Sequence, residues 1–121
     1  MIDRILIVDD EPEIVREIGE YLQSTGRHVE TACSKQSAVQ KLVRDSEIKL
    51  VLSDVRMPGG DGHSLLAFVR EELGSTIPFV LMTGQAACPD RRGAPQPTAI
   101  LAKPVRLREL GSLFEQLETT L

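Results

Sequence analysis

A chain of 121 residues, 41% hydrophobic and 26% charged, has the length and make-up of one globular domain with a real core. Its net charge of −4 argues against direct nucleic-acid binding, which needs clustered Lys and Arg, and Arg91-Arg92 is the one basic pair. No apolar stretch is long enough to cross a bilayer, and Met1-Ile2-Asp3-Arg4 lacks the form of a secretory signal, so a cytoplasmic location without a membrane partner is expected.

Ile5-Leu6-Ile7-Val8 reads as a strand buried on both faces, the kind found inside a parallel sheet. It runs straight into Asp9-Asp10-Glu11. Packing gives no reason to place carboxylates there. Neighbouring like charges repel, and partial burial penalises their ionisation. A bound cation would relieve both costs. Pro12 stands where a first-turn proline belongs, and Ile14, Val15, Ile18, Tyr21 and Leu22 recur at helical spacing up to a stop at Gly26. Residues 28–33 alternate like a short strand. Ser34 can cap a second helix whose apolar face would be Ala38, Val39, Leu42 and Val43.

Ile48 to Ser53 is the next buried strand, and it also ends in an acid, Asp54. The turn-rich run Met57-Pro58-Gly59-Gly60-Asp61-Gly62 follows, with glycines that suit turn geometry. Leu65, Leu66, Phe68, Val69 and Leu73 mark a third helix closed by Gly74. Residues 78–82 form a buried strand ending at Thr83-Gly84. Residues 99–102 form a short one ending at Lys103-Pro104. Leu107, Leu110, Leu113, Phe114 and Leu117 line the last helix. Cys33 and Cys88 are far apart and form no ligand pair with a nearby His, so both are expected as free thiols.

Strands separated by helices imply βαβ units and a parallel sheet with both faces covered. Right-handed crossovers put every strand's C-terminal end on one edge, where ligands of such sheets bind. Asp9, Asp10, Asp54, Thr83 and Lys103 therefore converge on one crevice. Asp9, Asp10 and Asp54 are hard oxygen donors suited to Mg2+. A carboxylate not needed for a metal can act as a nucleophile toward phosphorus. Phosphoryl transfer needs mainly positioning and charge neutralisation, which a cation, an ammonium and a hydroxyl donor supply.

Ile7-Val8-Asp9-Asp10-Glu11, the run Leu52 to Gly62, Met82-Thr83-Gly84 and Lys103-Pro104 together resemble the receiver domains of two-component response regulators. Each motif is weak alone. Their order and spacing cover almost the whole chain, residues 1–121 reading as one receiver domain. The resemblance implies a flavodoxin-like doubly wound α/β fold, with a five-stranded parallel sheet in order 2-1-3-4-5 and about five helices. It makes Asp54 the phosphoacceptor. Asp10, Asp54 and the backbone carbonyl of Arg56 would hold Mg2+ directly, and Asp9 partly through water. Lys103 would pair with the phosphoryl group, and Thr83 would follow it. Thr83, Ile100, Lys103 and Pro104 would form the switch toward output, with Lys103-Pro104 in the cis form. The implied donor is a sensor histidine kinase or a histidine phosphotransfer protein, and the implied target is a downstream protein. Such a chain is a signalling domain, not an enzyme, with only self-phosphorylation and autodephosphorylation activity.

Plainer readings stand beside these. Asp9 and Asp10 alone could be acids favoured by a helix dipole. Asp54 alone could open a turn, Thr83 could be an ordinary strand end, and Lys103 a solvated lysine. Glu11 reads as a structural first-turn acid, and His28 and His63 as surface residues. Two departures from the family are visible. Residues 84–98 hold three prolines and two glycines and lack an apolar stripe, so the fourth helix is expected to be short, absent or mobile. Ile100 stands where many receivers carry a Tyr or Phe, so ordering of 84–98 would have to replace the aromatic switch. The alternatives to a phosphoreceiver are a non-phosphorylated pseudo-receiver acting as a binding module, and a flavin-binding electron carrier on the same sheet. An acidic crevice with no covering aromatic suits the second poorly.

Overall fold

A computed structural model describes residues 2–57, 59–84 and 93–120. Five strands, β1 (Arg4–Val8), β2 (His28–Ala32), β3 (Leu50–Asp54), β4 (Phe79–Thr83) and β5 (Ala99–Ala102), form one sheet in the order β2-β1-β3-β4-β5. Every pairing is parallel. This is the flavodoxin-like order expected. The helices are α1 (Pro12–Ser24), α2 (Lys35–Arg44), α3 (Gly62–Ala67) and α4 (Leu107–Thr120), with a π-helical turn, Phe68–Glu72, continuing α3.

Alternation along the buried strands divides the core into two layers. Ile5, Ile7, Leu50, Leu52, Val80 and Met82 pack on one face with Ile18 and Leu22 of α1 and Leu110 and Phe114 of α4. Leu6, Val8, Val51, Phe79 and Leu81 pack on the other with Ala38 and Leu42 of α2 and Leu65, Leu66 and Val69 from α3 and its extension. Both faces of the sheet are therefore covered, which is why its strands lack the apolar–polar alternation of a half-exposed sheet.

Local chemistry sets the helix ends. Pro12 opens α1. Gly26, at φ 87°, closes it, with its N–H donating to the Gln23 carbonyl at 3.0 Å. The Ser34 hydroxyl accepts from the Ser37 N–H and the Ser37 hydroxyl accepts from the Ser34 N–H, so α2 begins with a reciprocal cap. Asp61 caps α3 by accepting from the Ser64 N–H at 2.7 Å.

Some boundaries differ from expectation. Asp54 and Thr83 are the last residues of their strands, not residues beyond them. Val43 is 63% exposed, because it lies on the flank of α2 and not on its core face. Leu73 and Leu107, at helix ends, are also exposed. The expectation for residues 84–98 falls partly on 85–92, which lie outside the described residues. Gly84 and residues 93–98 form turns, bends and coil without helix. Cys33 is an exposed free thiol, and Cys88 lies outside the described residues.

Candidate functional site

Strand register decides where the site forms. Val8 pairs with Ser53, so the residues that follow, Asp9 and Asp54, stand side by side. Thr83 pairs with Ala102, so Lys103 emerges one step beyond Thr83. The backbone ladder continues past the strand ends. The N–H of Asp9 donates to the Ala32 carbonyl at 3.0 Å, that of Val55 to Met82 at 3.1 Å, and that of Lys103 to Thr83 at 2.8 Å. These bonds fix the main chain from which the site's side chains project.

Alternation then chooses the side. Asp9 continues the row Ile5-Ile7, Asp54 the row Leu50-Leu52, and Lys103 the row from Ala99 to Leu101. All three rows face the α1–α4 layer, so the charged groups meet there. The Lys103 ammonium donates to Asp9 Oδ2 at 2.9 Å. It lies 3.2 Å from Asp54 Oδ2 and 3.4 Å from Glu11 Oε1. Lys103 directly precedes Pro104, and the peptide bond joining the two residues is cis.

Burial makes these charges costly. Asp9 is 1% exposed, Asp54 8% and Thr83 7%; with Ser53 they are the buried polar residues among those described. Burial pushes the Asp54 carboxyl above its usual range, and the Asp9 charge pushes it further. Lys103 and a hydrogen bond from the Arg56 N–H pull it back without reversing the shift. For Lys103, burial alone would lower the ammonium's value. The Asp9 hydrogen bond and the charges of Asp9 and Asp54 outweigh that, and the net shift is upward. Burial is the larger cause at Asp54, and surplus negative charge adds to it; at Lys103 that surplus is what raises the ammonium.

That surplus suits a divalent cation. Asp9, Glu11 and Asp54 each offer a carboxylate oxygen, and these oxygens lie within 4.8 Å of one another. Three carboxylates share one ammonium, so two negative charges stay uncompensated within the group. Hard oxygen donors in this arrangement match Mg2+ chemistry. Asp10, the acid the sequence pointed to as a direct ligand, is exposed and its carboxylate lies outside this group. It lines, with Asp9, Pro12, Val15 and Cys33, a cleft of about 360 Å³ beside the site.

Glu11 is the residue that sequence reasoning set aside. The Asp9 side chain accepts from the Glu11 N–H at 3.0 Å, which turns the chain back toward the site. Glu11 then occupies the N-cap of α1 but makes no side-chain cap hydrogen bond. Its carboxylate reaches Lys103 instead. The signal was present in the sequence as a third consecutive acid.

The loop after Asp54 is held by glycines. Gly59 and Gly60 have positive φ, 75° and 153°. Gly62 donates its N–H to the Val55 carbonyl at 2.8 Å, and a Cβ there would lie 2.4 Å from the Asp54 carbonyl oxygen. The turn therefore packs directly on the main chain that carries Asp54. Ile100 lies at the centre of β5 and is 48% exposed.

The sequence matches the family model of the response regulator receiver domain over residues 5–115. The chain belongs to that family. An uncharacterized 14.6 kDa protein of Leptolyngbya boryana is 36% identical over 93% of this chain and 87% of its own length. The sensor histidine kinase RcsC of Salmonella typhi is 36% identical over 88% of this chain, and the transcriptional regulatory protein GlrR of Escherichia coli is 34% identical over 84%. The chain spans only 11% of RcsC and 23% of GlrR. Among solved structures, the response regulator TrrA of Thermotoga maritima, in complex with Mg2+ and BeF, superposes with a TM-score of 0.84. It is 27% identical, over 95% of this chain and 98% of its own. The chemotaxis response regulator CheY4 of Vibrio cholerae gives 0.82 at 26% identity, over 96% and 98% of the two chains. The chain is thus a signalling domain of two-component systems, with an acidic cluster compatible with Mg2+. No helix among the described residues is long and apolar enough to cross a membrane.

Proposed function

We propose that Asp54 is the phosphoacceptor of this receiver. The observation that carries this is the Asp9–Lys103–Asp54 bridge, in which one partly buried ammonium holds two strand-end carboxylates. In the transfer, an Asp54 carboxylate oxygen attacks phosphorus and the P–N bond to a partner's phosphohistidine breaks. The histidine leaves with the bonding electron pair and takes up a proton. Water later attacks the phosphorus, the acyl phosphate P–O bond breaks, and Asp54 and inorganic phosphate are released. The partner is a sensor histidine kinase or a histidine phosphotransfer protein, and the domain occupies the whole of residues 1–121.

Asp9, Asp10 and Asp54, with the carbonyl of Arg56, are the residues that would hold Mg2+ in this reading, Asp10 by turning its exposed side chain toward the group. When bound, the cation neutralises charge that builds on the phosphoryl oxygens. Lys103 supplies the second positive charge. It passes from the Asp54 carboxylate to the phosphoryl group without leaving the site. Thr83, buried at the end of β4, is the hydroxyl that follows the phosphoryl group. Ile100, exposed on β5, lies with Lys103 and Pro104 on the path to a downstream protein target.

Incubation with acetyl phosphate and Mg2+ tests the reading. Intact mass should rise by one phosphoryl group, the gain should need Mg2+, and Asp54→Asn should abolish it. No gain would support the non-phosphorylated binding module instead. A gain that survives Asp54→Asn would move the acceptor elsewhere.

A further inference from the structure

We propose that Glu11 is a working acid of the cation site, lent to Lys103 while the cation is absent. The proposal rests on the phosphoreceiver reading for the identity of the cation, Mg2+. Its evidence is separate. Glu11 does not cap α1, although it stands at the N-cap. Its carboxylate comes within 4.8 Å of those of both Asp9 and Asp54, and 3.4 Å from the Lys103 ammonium. Its side chain is 61% exposed, against 0% for Asp9 and 11% for Asp54.

That contrast assigns different duties to the three acids. Asp9 is fixed by its burial, by Lys103 and by the Glu11 N–H. Asp54 is fixed by its strand. Glu11 alone of the three has an open side and a flexible stem. An exposed carboxylate 3.4 Å from an ammonium is weakly held and exchanges partners readily. With a divalent ion held by these acids, the Lys103 ammonium would be repelled and the Glu11 carboxylate attracted. Glu11 would then exchange Lys103 for the ion and leave Lys103 free for a phosphoryl group.

Glu11→Gln keeps the shape and removes the charge, while Glu11→Asp keeps the charge on a shorter stem. Mg2+ titration of each, followed by amide chemical shifts of the folded protein, reads cation affinity without any phosphoryl transfer. The wild type should bind Mg2+. Glu11→Gln should weaken binding by about three- to tenfold, the range for one partly screened charge facing a divalent ion. Glu11→Asp should lose less. A Glu11→Gln affinity within about twofold of wild type would overturn the role of Glu11 and leave the phosphoreceiver reading intact. A Glu11→Asp loss as large as that of Glu11→Gln would overturn it too, since keeping the charge would then bring no benefit. A wild type that shows no Mg2+ response would overturn both.

Discussion

Replacing Gly62 by Ala tests how tightly the main chain of Asp54 is packed. Gly62 has no positive φ, so backbone conformation does not demand glycine there. Space does. An added Cβ would lie 2.4 Å from the Asp54 carbonyl oxygen, 2.8 Å from Leu81 Cδ2 and 3.2 Å from Val55 Cα. Two of these atoms are backbone, in or next to a central strand. Leu81 is fully buried and has nowhere to turn. Overpacking costs about 1–3 kcal/mol where neighbours can adjust, and this site belongs at the top of that range. The stiffer unfolded chain of the alanine variant offsets about 0.4–1 kcal/mol. A net loss of about 2 kcal/mol corresponds to a fall in Tm of roughly 8 °C for a domain of this size.

Gly19→Ala is the matched comparison. Gly19 lies inside α1, and its added Cβ would meet only Val29 Cγ1 at 3.8 Å and Ile7 Cδ1 at 3.9 Å. Those are ordinary contacts, and alanine in a helix interior is favoured over glycine by about 0.8–1.0 kcal/mol. Gly19→Ala should therefore raise Tm by about 3 °C while Gly62→Ala lowers it. Thermal melts by circular dichroism in the same metal-free buffer decide the matter. A Gly62→Ala Tm within about 2 °C of wild type would refute the claim that the loop rests rigidly on Asp54.

Two further substitutions probe other parts of the framework. Arg27 pairs with Glu118 at 2.7 Å, donates to the Ile2 carbonyl at 3.0 Å, and lies 4.9 Å from the Phe114 ring centroid, so it ties α4 to the N-terminus. Arg27→Ala should cost about 2 kcal/mol in chemical denaturation and Arg27→Lys less, and equal losses would show that the guanidinium's charge contributes nothing. For Asp54, the upward shift means that ionisation works against the folded state. That penalty is complete above the folded-state value and vanishes as pH falls below the unfolded one. Asp54→Asn should therefore raise Tm near neutral pH without metal, with a gain that shrinks toward about pH 3.5; a gain independent of pH would refute the electrostatic cause.

Most of the sheet and half of the site were legible because they follow from local pattern. Four apolar residues before Asp9 and a buried run before Asp54 announce parallel strands, and parallel topology alone brings their ends together. The convergence on one face was also written in the spacing. Asp9 lies two beyond Ile7, Asp54 two beyond Leu52, and Lys103 two beyond Leu101, and period-two alternation carries each onto the layer covered by α1 and α4. Strand ends were misjudged by a residue because ladder hydrogen bonds, not side chains, decide them. Val43 was misjudged because helical spacing gives an apolar arc without its width. Glu11 was missed for a different reason. Its role depends on a turn made by the Asp9 side chain to its own main chain, and no periodicity records that bond.

The distribution of buried polarity links stability to function in this domain. Asp9, Ser53, Asp54 and Thr83 are the buried polar residues described, and all lie at the C-terminal edge of the sheet. Elsewhere the two core layers are aliphatic and aromatic. Such a core needs nothing from the site, so the edge can stay under electrostatic stress without unfolding the domain. The stress has a direction. Burial, then the Asp9 charge, raises the Asp54 carboxyl, and the surrounding carboxylates hold the Lys103 ammonium charged. Whatever brings positive charge relaxes it. The glycine-held loop and the strand-end ladder keep the Asp54 main chain in place under that stress.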